Sequence, residues 1–312
     1  MNLPQTNAGP STALSLKCPA CGRTPLDASP SGWTCGGCRA EYPIVDGVAR
    51  FVSSEQYVGS FGFQWNTFAK SQLDSANGTT RSLDTFEEKT GWRIDSLRGL
   101  QVLDAGCGMG RFAEVCAAAG ASVHAVDLSR AVEAAARNLS HRPNITFYQA
   151  DILNLPFAHG TFDAIYSLGV LHHTPDTRRA FMSLVPLLKP GGRIAIWVYS
   201  AKLRLMFGGE LLRLVTPRLS TERLLRLCRI AVPLYHVHRL PVIGRATTAI
   251  LPTSLNPDPE WRWLDTFDWY APRYQWKHTY GEVEAWFRDA GLTGIARASF
   301  PVSVRGQRQT TG

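Results

Sequence analysis

A glycine-rich turn is the segment whose residue types and spacing could bind a cofactor. The stretch VLDAGCGMGR at residues 102–111 places Gly106, Gly108 and Gly110 directly after an apolar run. A strand that feeds a helix past a bound nucleotide has this composition. The glycine spacing is G-x-G-x-G rather than the G-x-G-x-x-G of a pyrophosphate site. By itself, the turn predicts a nucleotide-type cofactor and leaves open which one.

Three aspartates near this turn narrow the choice of cofactor. Asp127 ends the next predicted strand, where a carboxylate can accept hydrogen bonds from both ribose hydroxyls. Asp151 ends the third predicted strand, where it can accept from the amine of an adenine while Ile152 offers an apolar surface. Asp104 lies in the turn, and a carboxylate is a poor neighbour for a pyrophosphate but a good one for the ammonium of a methionine. The alternative interpretation is that Asp127 and Asp151 only cap strand ends.

The elements that must position these residues alternate between strand and helix from residue 100 onward. Strands are predicted at 101–106, 122–127, 145–151, 162–169 and 193–200, with two short ones near 293–299 and 302–308. Helices are predicted at about 111–119, 131–139, 177–188 and 282–290. Such alternation favours an α/β fold with a Rossmann-like parallel sheet and helices on both faces.

A series of motifs resembles those of a known enzyme family. VLDAGCGMGRF, AVDLS, ADILNLPF, FDAIYSLGVLHH and LLKPGG occur in this order over residues 100–200. Together they resemble the class I S-adenosylmethionine-dependent methyltransferases, most closely the type 11 subgroup. The resemblance implies a seven-stranded methyltransferase sheet and S-adenosylmethionine as cofactor. It implies that the cofactor is bound by Asp104, Ala105, Gly106, Cys107, Gly108, Gly110, Asp127, Leu128, Asp151, Ile152 and Leu168.

Four of the seven cysteines form two C-x-x-C pairs near the start of the chain. Cys18 and Cys21 are separated from Cys35 and Cys38 by 13 residues. Two such turns can direct four thiolates at one tetrahedral zinc ion, and a site closed by four cysteines is structural rather than catalytic. Disulfides are the competing interpretation.

The segment around these cysteines also carries a resemblance. CPACG…CGGCRAEYPIVDGVARF resembles the small zinc-binding module that activates tRNA and protein methyltransferases. We therefore predict a zinc ribbon over residues 18–52. The remaining predicted divisions are a flexible leader at 1–17, cap or lid helices at 53–99, the cofactor-binding core at 100–200, a basic helical insertion at 201–255 and the end of the methyltransferase fold at 256–312. No signal-peptide or membrane-spanning pattern occurs, so the predicted location is cytoplasmic.

The predicted insertion holds most of the protein's net charge of +8. Residues 201–250 contain nine Lys and Arg against two Glu. Arg223, Arg226 and Arg229 recur every three residues along a leucine-rich, amphipathic helix. Such a segment can contact an anionic membrane surface, a partner or an anionic substrate, or can be an ordinary solvated face.

The expected chemistry requires the protein mainly to align the acceptor with the methyl group of the cofactor. The methyl group of S-adenosylmethionine is already activated, so positioning and exclusion of water can supply most of the rate. A general base is needed only when the acceptor must lose a proton. Candidates are His172, His173 and His278, although the first two could equally have no chemical role.

Phe63 and Trp65 are candidates for enclosing the cofactor. A dense aromatic cluster could wall an acceptor pocket or only cover the insertion: Trp261, Trp263, Trp269, Tyr270, Tyr274 and Trp276.

Three functions remain open at this stage. The favoured one is methyl transfer to a small-molecule or lipid-linked acceptor, with the insertion at a membrane surface or over the substrate. RNA methylation through the ribbon and the basic insertion is less favoured, because the insertion has few aromatic residues among its arginines and no Asn-Pro-Pro-Tyr-type motif follows the fourth strand. The third is a cofactor-binding scaffold without turnover.

Overall fold

The structure is a computed structural model that describes residues 14–55, 57–70, 72–201 and 207–310, without the side chain of Phe207. Most of the predicted leader and residues 202–206 of the predicted insertion lie outside this range. Within it, Leu16 forms an isolated bridge with Phe157, so the end of the leader contacts the core.

One mixed sheet runs through the molecule. Its strands are β1 (Asp27–Ser29), β2 (Gly32–Thr34), β3 (Glu41–Val45), β4 (Val48–Arg50), β5 (Gln101–Ala105), β6 (Ser122–Asp127), β7 (Ile145–Gln149), β8 (Phe162–Leu168), β9 (Leu188–Trp197), β10 (Thr293–Arg297) and β11 (Ser303–Gln307). The spatial order is β1-β2-β3-β4-β7-β6-β5-β8-β9-β11-β10. Pairing is parallel from β4 through β9 and antiparallel at both ends.

The sheet has eleven strands, so the predicted count of seven is corrected. The seven predicted strands correspond to β5–β11, and the ribbon adds four more because β4 pairs with β7, with Val48 opposite Phe147. Without β4, β7 would be an edge strand with unpaired backbone groups. The ribbon therefore continues the sheet instead of standing apart from it.

Two strand boundaries also differ from the prediction. β7 ends at Gln149, and Asp151 instead caps a short 3-10 helix, Ile152–Asn154. β9 begins at Leu188, before the predicted start at residue 193, and contains the Lys-Pro-Gly-Gly segment. Its pairing with β8 shifts register between Phe162 and Ala164, as at a bulge, which is where a strand accommodates such residues.

Twelve helices cover the sheet within the described residues. They are α1 (Gly59–Thr67), α2 (Asp74–Asn77), α3 (Arg81–Thr90), α4 (Arg111–Ala118), α5 (Ala131–Asn138), α6 (Thr177–Leu184), α7 (Phe207–Leu212), α8 (Thr221–Cys228), α9 (Ala231–His238), α10 (Ile243–Ile250), α11 (Pro259–Tyr270) and α12 (Tyr280–Asp289). Their starts follow local sequence: Asp258 caps α11 ahead of Pro259, and Thr279 forms a capping box with Glu282 in α12. None of the described helices has the length and apolarity needed to cross a membrane.

Arg262 joins α11 to the helices of the insertion. Its side chain is 3% exposed and donates hydrogen bonds to three backbone carbonyls, those of Val232, Asn256 and Pro257, at 2.8–3.0 Å. The guanidinium also lies 3.7 Å from the ring centre of Tyr235. A buried guanidinium whose donors are used in this way fixes the relative position of α9 and α11.

We expect Arg262→Met to lower the free energy of unfolding by about 3 kcal/mol, because three part-buried carbonyls lose their donors. Urea denaturation measures this change. Arg223→Met on the exposed face of α8 is the matched control and should change stability by less than about 0.5 kcal/mol. Equal effects of the two substitutions would contradict the anchoring role of Arg262.

Candidate active site

A cavity of about 740 Å³ opens at the carboxyl ends of the parallel strands. Ligands of open α/β sheets bind at this edge, and the volume suits a nucleoside cofactor together with a second molecule. Eight of the predicted cofactor-binding residues line it: Gly106, Cys107, Gly108, Asp127, Leu128, Asp151, Ile152 and Leu168.

The glycine turn has a backbone shape that side chains would prevent. The φ angle of Gly106 is +97°, and a Cβ there would lie 2.4 Å from the side chain of Val170. The amides of Gly106 and Cys107 both donate to the carbonyl of Val126 at 2.8 Å, which ties the turn to the end of β6. Because glycine keeps side chains out of the turn, its backbone can approach a bound molecule closely.

Asp127 is held at the cavity edge by the same region of backbone. One carboxylate oxygen accepts from the amide of Gly108 at 2.9 Å, and the other accepts from the amide and hydroxyl of Ser129 at 2.8 and 2.7 Å. Burial raises the pKa of Asp127, while these hydrogen bonds oppose the rise. A carboxylate oxygen has capacity for a further donor, so Asp127 can still accept from a ribose hydroxyl.

Asp151 both caps a helix and faces the cavity. Its Oδ1 accepts from the amide of Leu153 at 2.9 Å, which is the capping role considered as an alternative in the sequence. The same residue and Ile152 line the cavity. Capping therefore orients this carboxylate without removing it from the site.

Three predicted cofactor residues lie outside the cavity lining: Asp104, Ala105 and Gly110. Asp104 is 2% exposed, and burial raises the pKa of its carboxyl to about 8. Gly110 precedes α4 with φ +96°, where a Cβ would lie 2.7 Å from Leu139. These residues lie on the side of the turn that faces away from the cavity. The Asp104 carboxylate therefore does not reach the cavity.

Of the three candidate histidines, His173 alone lines the cavity. Its Nδ1 lies 2.9 Å from the carbonyl oxygen of Tyr274, to which it donates, so Nε2 is free to accept. Burial lowers the pKa of His173 to about 4.

His172 is fully buried, and its ring lies 4.0 Å from that of Tyr199. His278 pairs with the hydroxyl of Thr177 at 3.0 Å. Neither His172 nor His278 lines the cavity, so the structure does not place them where a catalytic base would be needed.

The aromatic segment contributes one face of α11 to the cavity. That face consists of Trp261, Leu264, Asp265, Asp268, Trp269 and Tyr270. Trp263, by contrast, donates to the carbonyl of Leu225 at 2.7 Å and holds the insertion. The aromatic cluster therefore both walls the cavity and covers the insertion, which are the two roles that the sequence left open. Trp65 lines the cavity beside Gly108, whereas Phe63 packs against the cluster around α11.

A carboxylate and a tyrosine that sequence reasoning missed meet in this wall. The hydroxyl of Tyr199 donates to Asp268 at 3.1 Å, and both residues line the cavity. Burial raises the pKa of Asp268 to about 6 and that of Tyr199 well above its ordinary value. At neutral pH the pair therefore combines a carboxylate with an intact phenol. Two acids three residues apart among the tryptophans of α11 were the available signal in the sequence.

Lys89 is a second residue that sequence reasoning missed. It lies on α3, is 7% exposed and lines the cavity, with Nζ 3.2 Å from the ring centre of Trp197. Burial and the nearby Arg111 lower its pKa well below the ordinary value. Lys89 and Trp197 are 108 positions apart in the sequence, and no local pattern marks Lys89.

The four N-terminal cysteines form a compact cluster away from this cavity. Their sulfur atoms all lie within 4.8 Å of one another, and none is in a disulfide. The sulfurs of Cys18 and Cys38 are 3.6 Å apart, and those of Cys21 and Cys35 are 3.5 Å apart. Four thiolates around a tetrahedral zinc ion are separated by about 3.8 Å, so the donor set fits zinc.

Comparisons with known proteins identify the central part of the chain. Residues 103–196 match the methyltransferase domain family. The chain is 32% identical over 136 residues to the demethylmenaquinone methyltransferase of Clavibacter sepedonicus, covering 41% of this chain and 56% of that protein. It is 37% identical over 101 residues to the ubiquinone biosynthesis O-methyltransferase of Coxiella burnetii, covering 32% of this chain and 43% of that protein. The chain thus spans about half the length of these curated relatives.

A solved structure is similar over a larger share of the chain. Phosphoethanolamine N-methyltransferase 2 of Haemonchus contortus, in complex with S-adenosyl-L-methionine, aligns with a TM-score of 0.44 and 18% identity, covering 82% of this chain and 47% of that protein. Residues 103–196 resemble a methyltransferase domain, and the chemistry of the glycine turn, Asp127 and Asp151 fits S-adenosylmethionine.

We expect the purified protein to contain one zinc ion per chain and Cys21→Ser to lose it, because a fourth thiolate closes the site. Cys21 is exposed, so this substitution leaves the packed core intact. Mass spectrometry of the metal content measures the loss, and Cys228→Ser is the control that keeps the metal. Disulfides among the four cysteines in metal-free wild-type protein, detected by thiol titration, would contradict the zinc assignment.

Proposed function

We propose that this protein transfers the methyl group of S-adenosylmethionine to a small-molecule or lipid-associated acceptor. The observation that supports this proposal is one continuous cavity with two chemically different halves. One half holds the glycine turn, Asp127 and Asp151, and the other holds the acids and tryptophans of α11. The ribbon is proposed to have a structural role, since its cysteines lie apart from the cavity lining.

The cofactor half has groups that fit an adenosine. Asp127 would accept from the ribose hydroxyls, Asp151 from the adenine amine, and Ile152 would pack on the base. When bound, S-adenosylmethionine supplies a methyl group on a sulfonium that needs no further activation. The chain therefore has to orient the acceptor and exclude water from it.

Two walls, one from the insertion and one from α11, serve that purpose. Gly209, Glu210 and Arg213 line the cavity from the insertion side, and α11 lines it from another. Arg213 donates to the carbonyls of Trp269 and Pro272 at 2.8 and 2.9 Å, which fixes these walls against each other. An acceptor in this half would be surrounded by aromatic rings and a few charged groups, an environment suited to a ring-bearing small molecule.

Asp268 is the residue best placed to take the proton that a hydroxyl or ammonium acceptor must lose. Its raised pKa still leaves it ionised at neutral pH, and Tyr199 orients it through a hydrogen bond. His173 also faces the cavity, but its pKa of about 4 makes it the weaker proton acceptor. We therefore assign Asp268 as general base and Tyr199 as its positioning residue.

The curated relatives support a small acceptor over RNA. One is named demethylmenaquinone methyltransferase and the other ubiquinone biosynthesis O-methyltransferase, and neither name refers to a nucleic acid. On the RNA alternative, the ribbon and the arginines of the insertion would hold phosphates. On the scaffold alternative, the cavity would bind cofactor without turnover.

The test uses S-adenosylmethionine labelled on its methyl group, the full-length protein and an extract of the source cells. The expected result is label in the organic-soluble or small-molecule fraction with wild-type protein. Asp127→Asn should bind the cofactor at least about tenfold more weakly by calorimetry, because it replaces an acceptor oxygen with a donor. Label confined to RNA would replace the proposed acceptor class. Cofactor binding without label in any fraction would favour the scaffold.

Once an acceptor fraction is labelled, Asp268 gives a second prediction. The wild-type rate should rise with pH through about 6, because Asp268 accepts protons only when ionised. Asp268→Asn should lose this rise and lower kcat by about 100-fold while keeping its affinity for the cofactor.

Two variants control this experiment. Tyr199→Phe removes the hydrogen bond that favours the ionised carboxylate, so its pH profile should move to higher pH. Asp289→Asn, on the exposed end of α12, should behave as wild type. If Asp268→Asn kept both the wild-type kcat and the wild-type pH profile, another residue would be the base.

A further inference from the structure

The turn between α9 and α10 exposes four consecutive apolar residues, 240–243, which we name the apolar tip. Leu240 is 49% exposed, Val242 83% and Ile243 56%, and Pro241 is also exposed. Of the fourteen large hydrophobic residues that are exposed within the described chain, ten lie between Leu211 and Leu255. Single exposed hydrophobics need no explanation, but a contiguous run on one turn indicates an interaction site.

The apolar tip is held outward by the fold. Gly244 packs so closely on the end of α9 that a Cβ would lie 2.1 Å from the carbonyl oxygen of His238. The amide of Gly244 donates a hydrogen bond to the carbonyl oxygen of Leu240 at 2.9 Å. The Nδ1 atom of His238 lies 3.1 Å from the hydroxyl of Thr253, with which it forms a hydrogen bond. Val242 has a φ of +67°, which is rare for a β-branched residue. Backbone strain of this kind is maintained by the surrounding structure and is concentrated at functional sites.

The sequence on both sides of the apolar tip carries only positive formal charges. Arg239 and Arg245 flank it and are both exposed. Residues 223–257 contain five arginines and no aspartate or glutamate. The tip therefore combines aliphatic side chains with a cationic surround.

We propose that the apolar tip inserts into the interfacial region of a bilayer that contains anionic lipid, with Arg239 and Arg245 at the headgroups. Aliphatic side chains gain free energy when they leave water for the acyl boundary, and each arginine near an anionic surface adds an attraction. RNA would use the arginines but would leave Val242 and Ile243 in water. The combination of both features therefore favours a bilayer.

Docking in this way would place the insertion on a membrane while its other residues line the cavity. Gly209, Glu210 and Arg213 belong to the same insertion and face the cavity. An acceptor dissolved in or tethered to the bilayer would then be close to the enzyme. This consequence depends on the proposed function, whereas the membrane contact itself does not.

Vesicle sedimentation with the full-length protein tests the proposal. The probes are vesicles of phosphatidylcholine alone and of phosphatidylcholine with about one third phosphatidylglycerol. Wild-type protein should bind the second kind and be released by salt. The double variant Val242→Ser with Ile243→Ser should bind at least about tenfold more weakly, because most of the inserted apolar surface is lost. Arg239→Gln and Arg245→Gln should each weaken binding about fivefold.

The control variant is Val45→Ser, which alters a valine that is 45% exposed on β3, far from the insertion in sequence. It should bind vesicles as wild type does. None of the substituted residues lines the cavity, so unchanged cofactor affinity by calorimetry shows that each variant is folded and separates this test from the test of methyl transfer.

Two kinds of result would overturn the proposal. The first is wild-type protein that does not bind the anionic vesicles, or binds them as well after both tip residues are replaced. The second is a dimer in analytical ultracentrifugation that the double variant abolishes, which would assign the apolar tip to a second copy of the chain.

Discussion

The shape of the candidate site depends on one carbonyl group, that of Val126 at the end of β6. It accepts hydrogen bonds from two consecutive amides of the turn after β5, at Gly106 and Cys107. This forces the chain into a conformation with positive φ at Gly106 and brings Gly108 against the carboxylate of Asp127. The turn, the carboxylate of Asp127 and the start of α4 are therefore one rigid unit. A cofactor would bind to groups that are already in place, which limits the ordering cost of binding.

The ribbon is connected to this unit through β7. Pairing of β4 with β7 continues the sheet, and the carbonyl of Pro19 in the ribbon accepts from the side chain of Asn154 at 3.0 Å. Asn154 belongs to the short helix that Asp151 caps. The residue after Cys18 thus contacts the short helix on the proposed adenine side of the cavity, so a structural metal would stabilise the edge of the sheet next to the proposed cofactor site.

On the opposite side, α11 links the insertion to the cavity. Its buried face, which includes Phe267, packs with α8, and Arg262 bonds to the chain around α9. Its other face presents Asp265, Asp268, Trp261 and Trp269 to the cavity. A movement of the insertion, for example at a membrane, would therefore change the position of Asp268, the proposed base. The aromatic density of this helix follows from having to cover a core on one side and to wall a pocket on the other.

The sequence alone was sufficient for the features that arise from local patterns. The strands β5, β6 and β8 were placed within one residue, because apolar runs end at glycines and aspartates that mark the turns. The glycine turn, Asp127 and Asp151 were identified for the same reason. The cysteine spacing identified a donor set that the fold brings within 4.8 Å.

Only the tertiary structure decided the features that depend on distant segments. The sheet has eleven strands because residues 48–50 pair with 147–149, almost a hundred positions away. Packing brings the half-buried Asp268 and the buried Lys89 to the cavity wall, whereas Asp104 and His172 are buried behind it. Burial and the distance to a partner are properties of the folded chain, and a motif cannot specify them unless both partners lie within it.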